Sequence, residues 1–299
     1  MTEAGARREG RAQQLAARLP PLLVAAERVA ATVAGGVHGR RRAGPGESFW
    51  QYRPTQPGDP LSAVDWRQSA RSDRLFARET EWSAAQTVWL WRDPSPSMEW
   101  RSSRELPTKR DRAELLALAL GALLLRGGER VALLSGALGP TAGGGALARL
   151  AVAMDGEPVP SGPLPPALGL PRHAEAVMLS DLLAPLRDVD AAVRALAATG
   201  AVGHLVQVLD PAEESLPFQG RIRFAGLEGE GETVVRRTED LRSAYAARLA
   251  AHRDGLAAIA RSVGWTFAVH HTDQPPQAAL LALHGRLATP RPGGGGGRC

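Results

Sequence analysis

The stretch Thr87-Val88-Trp89-Leu90-Trp91, followed after Arg92 by Asp93-Pro94-Ser95-Pro96-Ser97, decides the fold of this chain. A run of β-branched and aromatic residues that stops at an aspartate is typical of a buried strand whose carboxyl end presents polar side chains. From this strand onward, apolar segments of strand length and of helix length alternate. That alternation predicts an α/β domain with a parallel sheet.

Polar side chains after this strand could bind a metal ion. The two prolines disfavour helix, so we expect an extended segment in which alternate side chains share one side. The Asp93 carboxylate and the hydroxyl groups of Ser95 and Ser97 would then converge, and three oxygen donors suit a small divalent cation such as Mg²⁺. A proline-rich turn in which Asp or Ser caps the next helix is the alternative.

The remaining elements can be placed from the pattern of apolar residues. We predict sheet strands at 87–92, 131–134, 176–179, 202–209 and 265–269, and helices at 109–126, 146–154, 185–198, 240–262 and 276–287. A hairpin is expected at 219–236, with Ile222 and Phe224 facing Val234.

A second carboxylate, Asp181, follows the strand predicted at 176–179. Ligands of open parallel sheets bind outside the carboxyl ends of the strands, where the strand order reverses. If this strand lies beside 87–92, Asp181 faces the segment that begins at Asp93. A helix N-cap before Leu182 is the alternative role for Asp181.

Residues 1–85 differ in composition from the rest of the chain. An Ala- and Leu-rich segment predicts a helix near 22–33, and a segment rich in arginine and tryptophan follows it. The glycine run near the C-terminus is typical of a disordered end. We therefore predict an N-terminal helix with an extended segment at 1–85, an α/β domain at 86–288 and a disordered Gly-rich tail at 289–299.

Bulk composition narrows the class of protein. The chain has 299 residues, of which 44% are hydrophobic, and its one cysteine is Cys299. A single cysteine excludes a disulfide framework within one chain and fits a reducing cytoplasm. The longest apolar stretch, 115–125, is too short to span a bilayer, and charges interrupt the N-terminal region. We therefore expect a cytoplasmic protein with no membrane span.

The formal net charge of +5 raises the hypothesis of a basic nucleic-acid-binding protein. The surplus is local, since residues 1–80 carry 13 basic and 8 acidic side chains. A solvated loop around Arg40-Arg41-Arg42 explains the run without a phosphate partner. No recognition-helix or zinc-finger pattern accompanies it, so we expect no nucleic-acid partner.

Several short motifs resemble those of a known bacterial family and occur in the same order. They are Gly58-Asp59, Val64-Asp65-Trp66-Arg67, Ser69-Ala70-Arg71, Arg78-Glu79-Thr80-Glu81, the Asp93 to Ser97 segment, Asp210-Pro211-Ala212-Glu213 and Tyr245. Over residues 40–287 the chain resembles domain-of-unknown-function family fifty-eight, whose members are commonly encoded beside MoxR-type AAA+ ATPases. The resemblance implies a von Willebrand factor A-like, Rossmann-type fold, with a mainly parallel sheet and helices on both faces.

The resemblance also implies a metal site and a function. A metal-ion-dependent adhesion site in such a domain would hold Mg²⁺ or Mn²⁺ through Asp93, Ser95, Ser97 and Asp181. That site uses a further threonine from an intervening loop, for which Thr141 and then Thr108 are the candidates here. The implied function is non-enzymatic: a metal-assisted protein-interaction module that binds an acidic residue of a client protein. Such a module would be an adaptor or chaperone-like partner of a MoxR-type AAA+ ATPase.

An enzyme remains the alternative hypothesis for the same residues. A strand-terminal aspartate such as Asp93 could be the nucleophile of a Mg-dependent aspartyl-phosphate hydrolase. Such enzymes usually carry a second aspartate where this chain has Ser95, and they need a lysine where Lys109 is the only one available.

A second candidate surface lies in the N-terminal region at Trp66, Arg67 and Arg71. An aromatic ring beside arginines can bind a partner protein through stacking and cation–π contacts. Structural ion pairs of the two arginines with Asp59 or Asp65 are the alternative.

Overall fold

The computed structural model divides the chain into two compact units, Met1–Gly36 with Gln86–Cys299 and Val37–Ala85. The structure describes residues 20–34, 49–56, 62, 64–72, 74–80, 86–157, 164–166, 169–229 and 231–287. The N-terminal helix therefore groups with the α/β domain, whereas the predicted division placed it with the extended segment before residue 86. The tail predicted at 289–299 lies outside the described residues.

Residues 20–34 form helix α1, close to the helix predicted at 22–33. Its buried side chains are Ala26, Val29, Ala30 and Val33. Because these positions follow the i, i+3, i+4, i+7 spacing, they form one apolar face.

The smaller unit contains an antiparallel pair of strands and a short helix. Strand β1 (Phe49–Pro54) pairs with β2 (Phe76–Thr80), and α2 (Trp66–Ser69) lies between them in the chain. Asp65 caps α2, since the amide of Gln68 donates to its carboxylate over 2.9 Å. The hydroxyl of Tyr52 donates to the same carboxylate over 3.3 Å, which ties β1 to the start of α2.

The larger unit contains a five-stranded parallel sheet. Its strands are β3 (Thr87–Arg92), β4 (Arg130–Leu133), β5 (Glu175–Ser180), β6 (Val202–Leu209) and β9 (Thr266–His271). Strands β7 (Ile222–Ala225) and β8 (Glu232–Val235) form a separate hairpin between β6 and β9 in the chain. The strand order is β4-β3-β5-β6-β9, and every neighbouring pair is parallel. The predicted α/β class with a mainly parallel sheet is confirmed.

Helices cover both faces of this sheet. They are α3 (Lys109–Arg126), α4 (Ala146–Asp155), α5 (Leu186–Ala197), the short α6 (Pro211–Ser215), α7 (Arg242–Ser262) and α8 (Pro276–Leu287). Helix α3 packs against α4 and α8, while α5 packs against α7. All six residues of β5 are buried, as expected for a central parallel strand with helices on each side. Within the described residues, no helix is both long and apolar enough to cross a membrane.

The predicted hairpin is present, but its register differs from the expected one. Ile222 pairs with Val235 and Phe224 pairs with Thr233, so Val234 lies opposite Arg223. Successive strand residues point to opposite faces. Val234 therefore shares its face with Arg223, and not with the two apolar residues assigned to it.

Candidate functional site

The candidate site lies where β3 and β5 end side by side. Arg92 at the end of β3 pairs with Leu179 of β5, and the amide of Asp93 donates to the carbonyl of Leu179 over 2.9 Å. The chain runs from β3 outward to β4 and then returns across β3 to β5, so the strand order reverses between these two strands. This is the place where open α/β sheets bind ligands.

Asp93 is fully buried, and hydrogen bonds hold both of its carboxylate oxygens. The amide of Ser95 donates to Oδ1 over 2.8 Å, and the hydroxyl of Ser180 donates to Oδ2 over 2.6 Å. Burial raises the pKa of Asp93 to about 6, although these hydrogen bonds oppose the rise. The carboxylate is therefore a fixed support for the loop, with no exposed oxygen.

The segment after Asp93 was predicted to be extended, but only its first part is. Ser95 has extended backbone angles, but Pro96–Glu99 form a turn of 3₁₀ helix with Pro96 in its first turn. The fixed φ of proline suits the first turn of a helix, which explains the difference. Ser95 and Ser97 still converge, with their hydroxyl oxygens 3.0 Å apart.

Asp181 joins this loop to the end of β5. The hydroxyl of Ser97 donates to Asp181 Oδ2 over 2.8 Å. The amide of Leu183 lies 3.3 Å from the other carboxylate oxygen. The structure thus brings four of the predicted ligands, Asp93, Ser95, Ser97 and Asp181, to one strand-end cluster. The capping alternative is wrong, because no helix begins at Leu182 and α5 begins at Leu186 after Pro185.

The only lysine in the chain completes this cluster. Lys109 is the first residue of α3, and the capping box of Thr108 and Asp111 begins the helix at this point. The Nζ atom of Lys109 lies 2.9 Å from Asp181 Oδ2 and 2.6 Å from Glu213 Oε1. The residue is only 1% exposed. Burial lowers the pKa of Lys109, but the charges of Asp181 and Glu213 outweigh it and raise the pKa above its usual value.

Glu213 reaches the cluster from the segment after β6. Its Oε2 atom accepts the amide of Asp210 over 2.9 Å in the capping box of α6, while Oε1 accepts from Lys109. The hydroxyl of Tyr245 on α7 donates to the carbonyl of Glu213. Burial raises the pKa of Glu213, and the charge of Lys109 opposes that rise. Asp210 is itself fully buried and accepts the amide of Ser102 over 2.8 Å.

A second set of polar side chains supports Asp181 from β6 and α7. The side-chain amide of Gln207 donates to the Asp181 carbonyl over 2.9 Å, and Arg253 Nε lies 3.3 Å from Gln207 Oε1. Arg253 and His271 both pair with Glu214, the neighbour of Glu213. The backbone on each side of the cluster is therefore fixed by strand-end contacts.

Thr141 does not belong to this cluster. It forms an isolated antiparallel bridge with Val131, which pairs with Val88 at the amino-terminal end of β3. Its hydroxyl accepts from Arg149 over 2.7 Å. The predicted ligand therefore lies toward the opposite end of the strand from Asp93. Thr108, the second candidate, uses its hydroxyl to accept the amide of Asp111 over 3.0 Å.

Sequence reasoning missed Lys109, Glu213 and Ser180 as members of the cluster. Two signals could have indicated the first two. Lys109 is the only lysine in a chain whose other basic residues are all arginine, and Glu213 closes a motif that follows the strand next to β5. Ser180 is the last residue of β5, and an inward-facing hydroxyl at that position has no distinctive sequence signal.

The hydrogen-bond partners of the Ser95, Ser97 and Asp181 oxygens show whether a divalent ion fits among these side chains. The Ser95–Ser97 and Ser97–Asp181 oxygen separations are 3.0 and 2.8 Å, close to those of adjacent ligands in an octahedron with bonds of about 2.1 Å. The Asp181 oxygen, however, already binds the Lys109 ammonium group, which would repel a second cation. No group of three or more His, Cys, Asp or Glu side chains in the described ranges could hold a metal ion. The residues as placed do not fit a divalent ion.

The proposed partner-binding residues lie in the smaller unit. Trp66 and Arg67 are in α2 and Arg71 follows it, and all three are exposed, with Trp66 at 60%. Leu75 is also 45% exposed in the same unit. Asp59, one of the ion-pair partners considered for the arginines, lies outside the described residues.

Comparison with known sequences identifies the family. A family described as "Protein of unknown function DUF58" matches residues 51–255. The chain belongs to the DUF58 family. An uncharacterized protein of Mycobacterium bovis and two of Mycobacterium tuberculosis are each 30% identical to this DUF58 chain, with 77% of the chain and 76% of each relative covered.

Solved structures similar to this DUF58 chain are remote. The crystal structure of the conserved hypothetical protein BatB from Bacteroides thetaiotaomicron matches with 16% identity and a TM-score of 0.39, covering 68% of the chain and 99% of BatB. An uncharacterized membrane spanning protein from Vibrio fischeri matches with 14% identity and a TM-score of 0.19, covering 69% of the chain and 100% of that protein.

Proposed function

We propose that this DUF58 chain is a non-enzymatic protein-interaction module of the cytoplasm with a von Willebrand factor A-like domain. It would be an adaptor or chaperone-like partner of a MoxR-type AAA+ ATPase. Membership of the DUF58 family and the motifs around Trp66 and Asp93 support the choice of partner. The observation that carries the proposal is the strand-end cluster, in which Ser97 is the partly exposed hydroxyl above buried, fixed carboxylates.

The state of Asp93 favours recognition over catalysis. A nucleophilic carboxylate needs an oxygen that can reach its substrate. Both oxygens of Asp93 accept hydrogen bonds, from Ser95 and Ser180, and the residue is fully buried. Binding at this edge would instead use the groups with access to solvent, Ser97 and the Glu213 side chain, which is 16% exposed.

The charge of the cluster determines which partner group it can bind. The acidic client residue implied by the family resemblance would need a bound cation, because Asp93, Asp181 and Glu213 outnumber the one ammonium group of Lys109. The divalent ion is not part of this proposal, since the residues do not fit it. Two surfaces are therefore candidates for binding the partner, the strand-end cluster and the exposed aromatic and basic residues at Trp66, Arg67 and Arg71.

Co-purification tests this proposal. The full chain is immobilised and challenged with a MoxR-type ATPase, with Mg²⁺ and with a chelator. Wild type should retain the ATPase, and Ser97→Ala and Trp66→Ala should reduce retention. Ser103→Ala is a matched control because Ser103 is exposed and its hydroxyl accepts the amide of Glu105 in a local turn away from the cluster. Retention by neither wild type nor control, or equal retention by all four proteins, would contradict the proposal.

The aspartyl-phosphate hydrolase is a second candidate, which one contact supports and the burial of Asp93 opposes. The lysine that such an enzyme needs is present, because Lys109 binds Asp181 within the cluster. Ser95 still occupies the position where the second aspartate is expected. Hydrolysis of p-nitrophenyl phosphate by wild type in Mg²⁺, with loss in Asp93→Asn, would establish this candidate, and no hydrolysis would exclude it.

A further inference from the structure

Lys109 occupies a position that is unfavourable for a cation in two respects. It is the first residue of an 18-residue helix, whose amino-terminal end carries partial positive charge. It is also 1% exposed, so its ammonium group has lost most of its hydration. The compensating contacts are those with Asp181 and Glu213, at 2.9 and 2.6 Å. These two carboxylates therefore determine where the ammonium group lies.

The identity of this residue is also informative. All the other basic residues of the chain, apart from histidine, are arginine, including the fully buried Arg92, yet the cation of the strand-end cluster is lysine. An ammonium group is a compact point charge, whereas a guanidinium group is planar and donates in a fixed fork. A point charge suits two single oxygens that approach from different directions. Here these are one oxygen of Asp181, after β5, and one of Glu213, after β6.

We propose that Lys109 is a tethered cation that takes the place of a divalent ion in the strand-end cluster, so that the cluster assembles without metal. Its ammonium group binds the carboxylates of Asp181, after β5, and Glu213, in α6. Asp181 in turn accepts a hydrogen bond from Ser97, whose hydroxyl is hydrogen-bonded to that of Ser95. An ion between the serine hydroxyls and Asp181 would likewise hold this loop to the end of β5. This inference concerns how the cluster is held together, and it stands whether or not the chain is an interaction module.

Metal binding would require the cluster to break apart. An ion at the serine hydroxyls would compete with Lys109 for Asp181 Oδ2, since both need that oxygen. Lys109 would then be left buried at the start of α3 with a single carboxylate partner. The tethered cation therefore excludes Mg²⁺ and Mn²⁺ from this site in the wild-type chain.

The single lysine makes a direct test possible. In the full chain labelled with ¹³Cε-lysine, one ε-methylene signal reports Lys109 alone. Millimolar Mg²⁺ should leave that signal unshifted, and Mn²⁺ should broaden it no more than it broadens the spectrum generally. A saturable shift with Mg²⁺, or selective broadening with Mn²⁺ that Ser97→Ala removes, would overturn the proposal.

A gain-of-binding variant provides the second arm. Lys109→Met removes the ammonium group and leaves Asp181 and Glu213 near the two serines, so calorimetry should detect saturable Mn²⁺ binding that the wild-type chain lacks. Arg126→Met, at the other end of α3, is the matched control and should not gain affinity. Folded Lys109→Met with no gain would count against the proposal. If Lys109→Met fails to fold, the labelled wild-type chain decides alone.

Discussion

The ammonium group of Lys109 lies 2.9 Å from the carboxylate of Asp181, and 72 residues of chain separate the two. This contact joins the first turn of α3 to the end of β5. Both residues are almost fully buried, so their charges depend on each other and not on solvent. The strand-end cluster is therefore part of the folding core as well as a candidate binding site.

Removal of Lys109 should be strongly destabilising. In Lys109→Met, the carboxylates of Asp181 and Glu213 lose their common partner, and leaving a buried charge unpaired costs about 3–5 kcal/mol. The free energy of unfolding, measured with urea at pH 7, should fall by that amount.

The control for this variant lies on the same helix. Arg126 pairs with Glu27 over 2.8 Å, but the two side chains are 45% and 54% exposed. Exposed pairs contribute about 0–1 kcal/mol, so Arg126→Met should lower stability only slightly. Equal losses in the two variants would show that burial of the Lys109 pair is not what matters.

The position of the cluster could be predicted from sequence because it depends on two local patterns. Each apolar strand stops at an aspartate, Asp93 or Asp181, and neighbouring parallel strands bring their carboxyl ends to one edge. Register then follows from the apolar runs themselves. The sequence left open whether these two strands are neighbours in the sheet, and the structure shows that they are.

The cation of the cluster could not be predicted in the same way. Lys109 reaches Asp181 because the capping box at Thr108 begins α3 at one particular residue, and α3 then packs over the sheet. Glu213 arrives through α6, after β6. These placements depend on how helices pack and not on periodicity. The prediction of Thr141 as a ligand was wrong because the loop after β4 folds back to pair with Val131, away from Asp93, and periodicity does not indicate such a contact.

Stability should depend on the ionisation of Asp93. Burial raises its pKa from 3.8 to about 6, so between these values the folded state binds more protons than the unfolded state. The contribution of this group is most favourable below pH 4 and is lost as pH rises through 6, by about 3 kcal/mol. In Asp93→Asn that loss is absent. The stability of the variant relative to wild type, from urea unfolding, should therefore rise between pH 4 and pH 7.

A surface carboxylate serves as the control for Asp93. Asp188 pairs with Arg187, and its side chain is 48% exposed. Asp188→Asn therefore shows what an aspartate-to-asparagine change at an exposed position does to the unfolding curves. If the stability of Asp93→Asn relative to wild type does not change with pH, the buried carboxyl group has an ordinary pKa.

His270 should produce a pH dependence of the opposite sign. Burial lowers the pKa of His270 from 6.5 to about 4, with the charge of Arg112 adding to the effect. The unfolded state then binds more protons between these values, so stability is lost as pH falls from 6.5 towards 4, by about 3 kcal/mol. His270→Gln should remove this loss, while His173→Gln, at an exposed position, should retain it. Unfolding curves at pH 4.5 and pH 7 in both variants provide the comparison.

The packing of β6 against Trp265 should tolerate no side chain at Gly203. A Cβ atom added to Gly203 would lie 2.2 Å from the indole ring of Trp265, which is 3% exposed and donates from Nε1 to the carbonyl of Ala201. Overpacking of this kind costs about 1–3 kcal/mol or more. Gly203→Ala should therefore lower the urea midpoint and shift tryptophan fluorescence. Gly139→Ala, where a Cβ atom meets nothing within 4 Å, should leave both unchanged. Unaltered stability in Gly203→Ala would mean that the indole ring can move away at little cost.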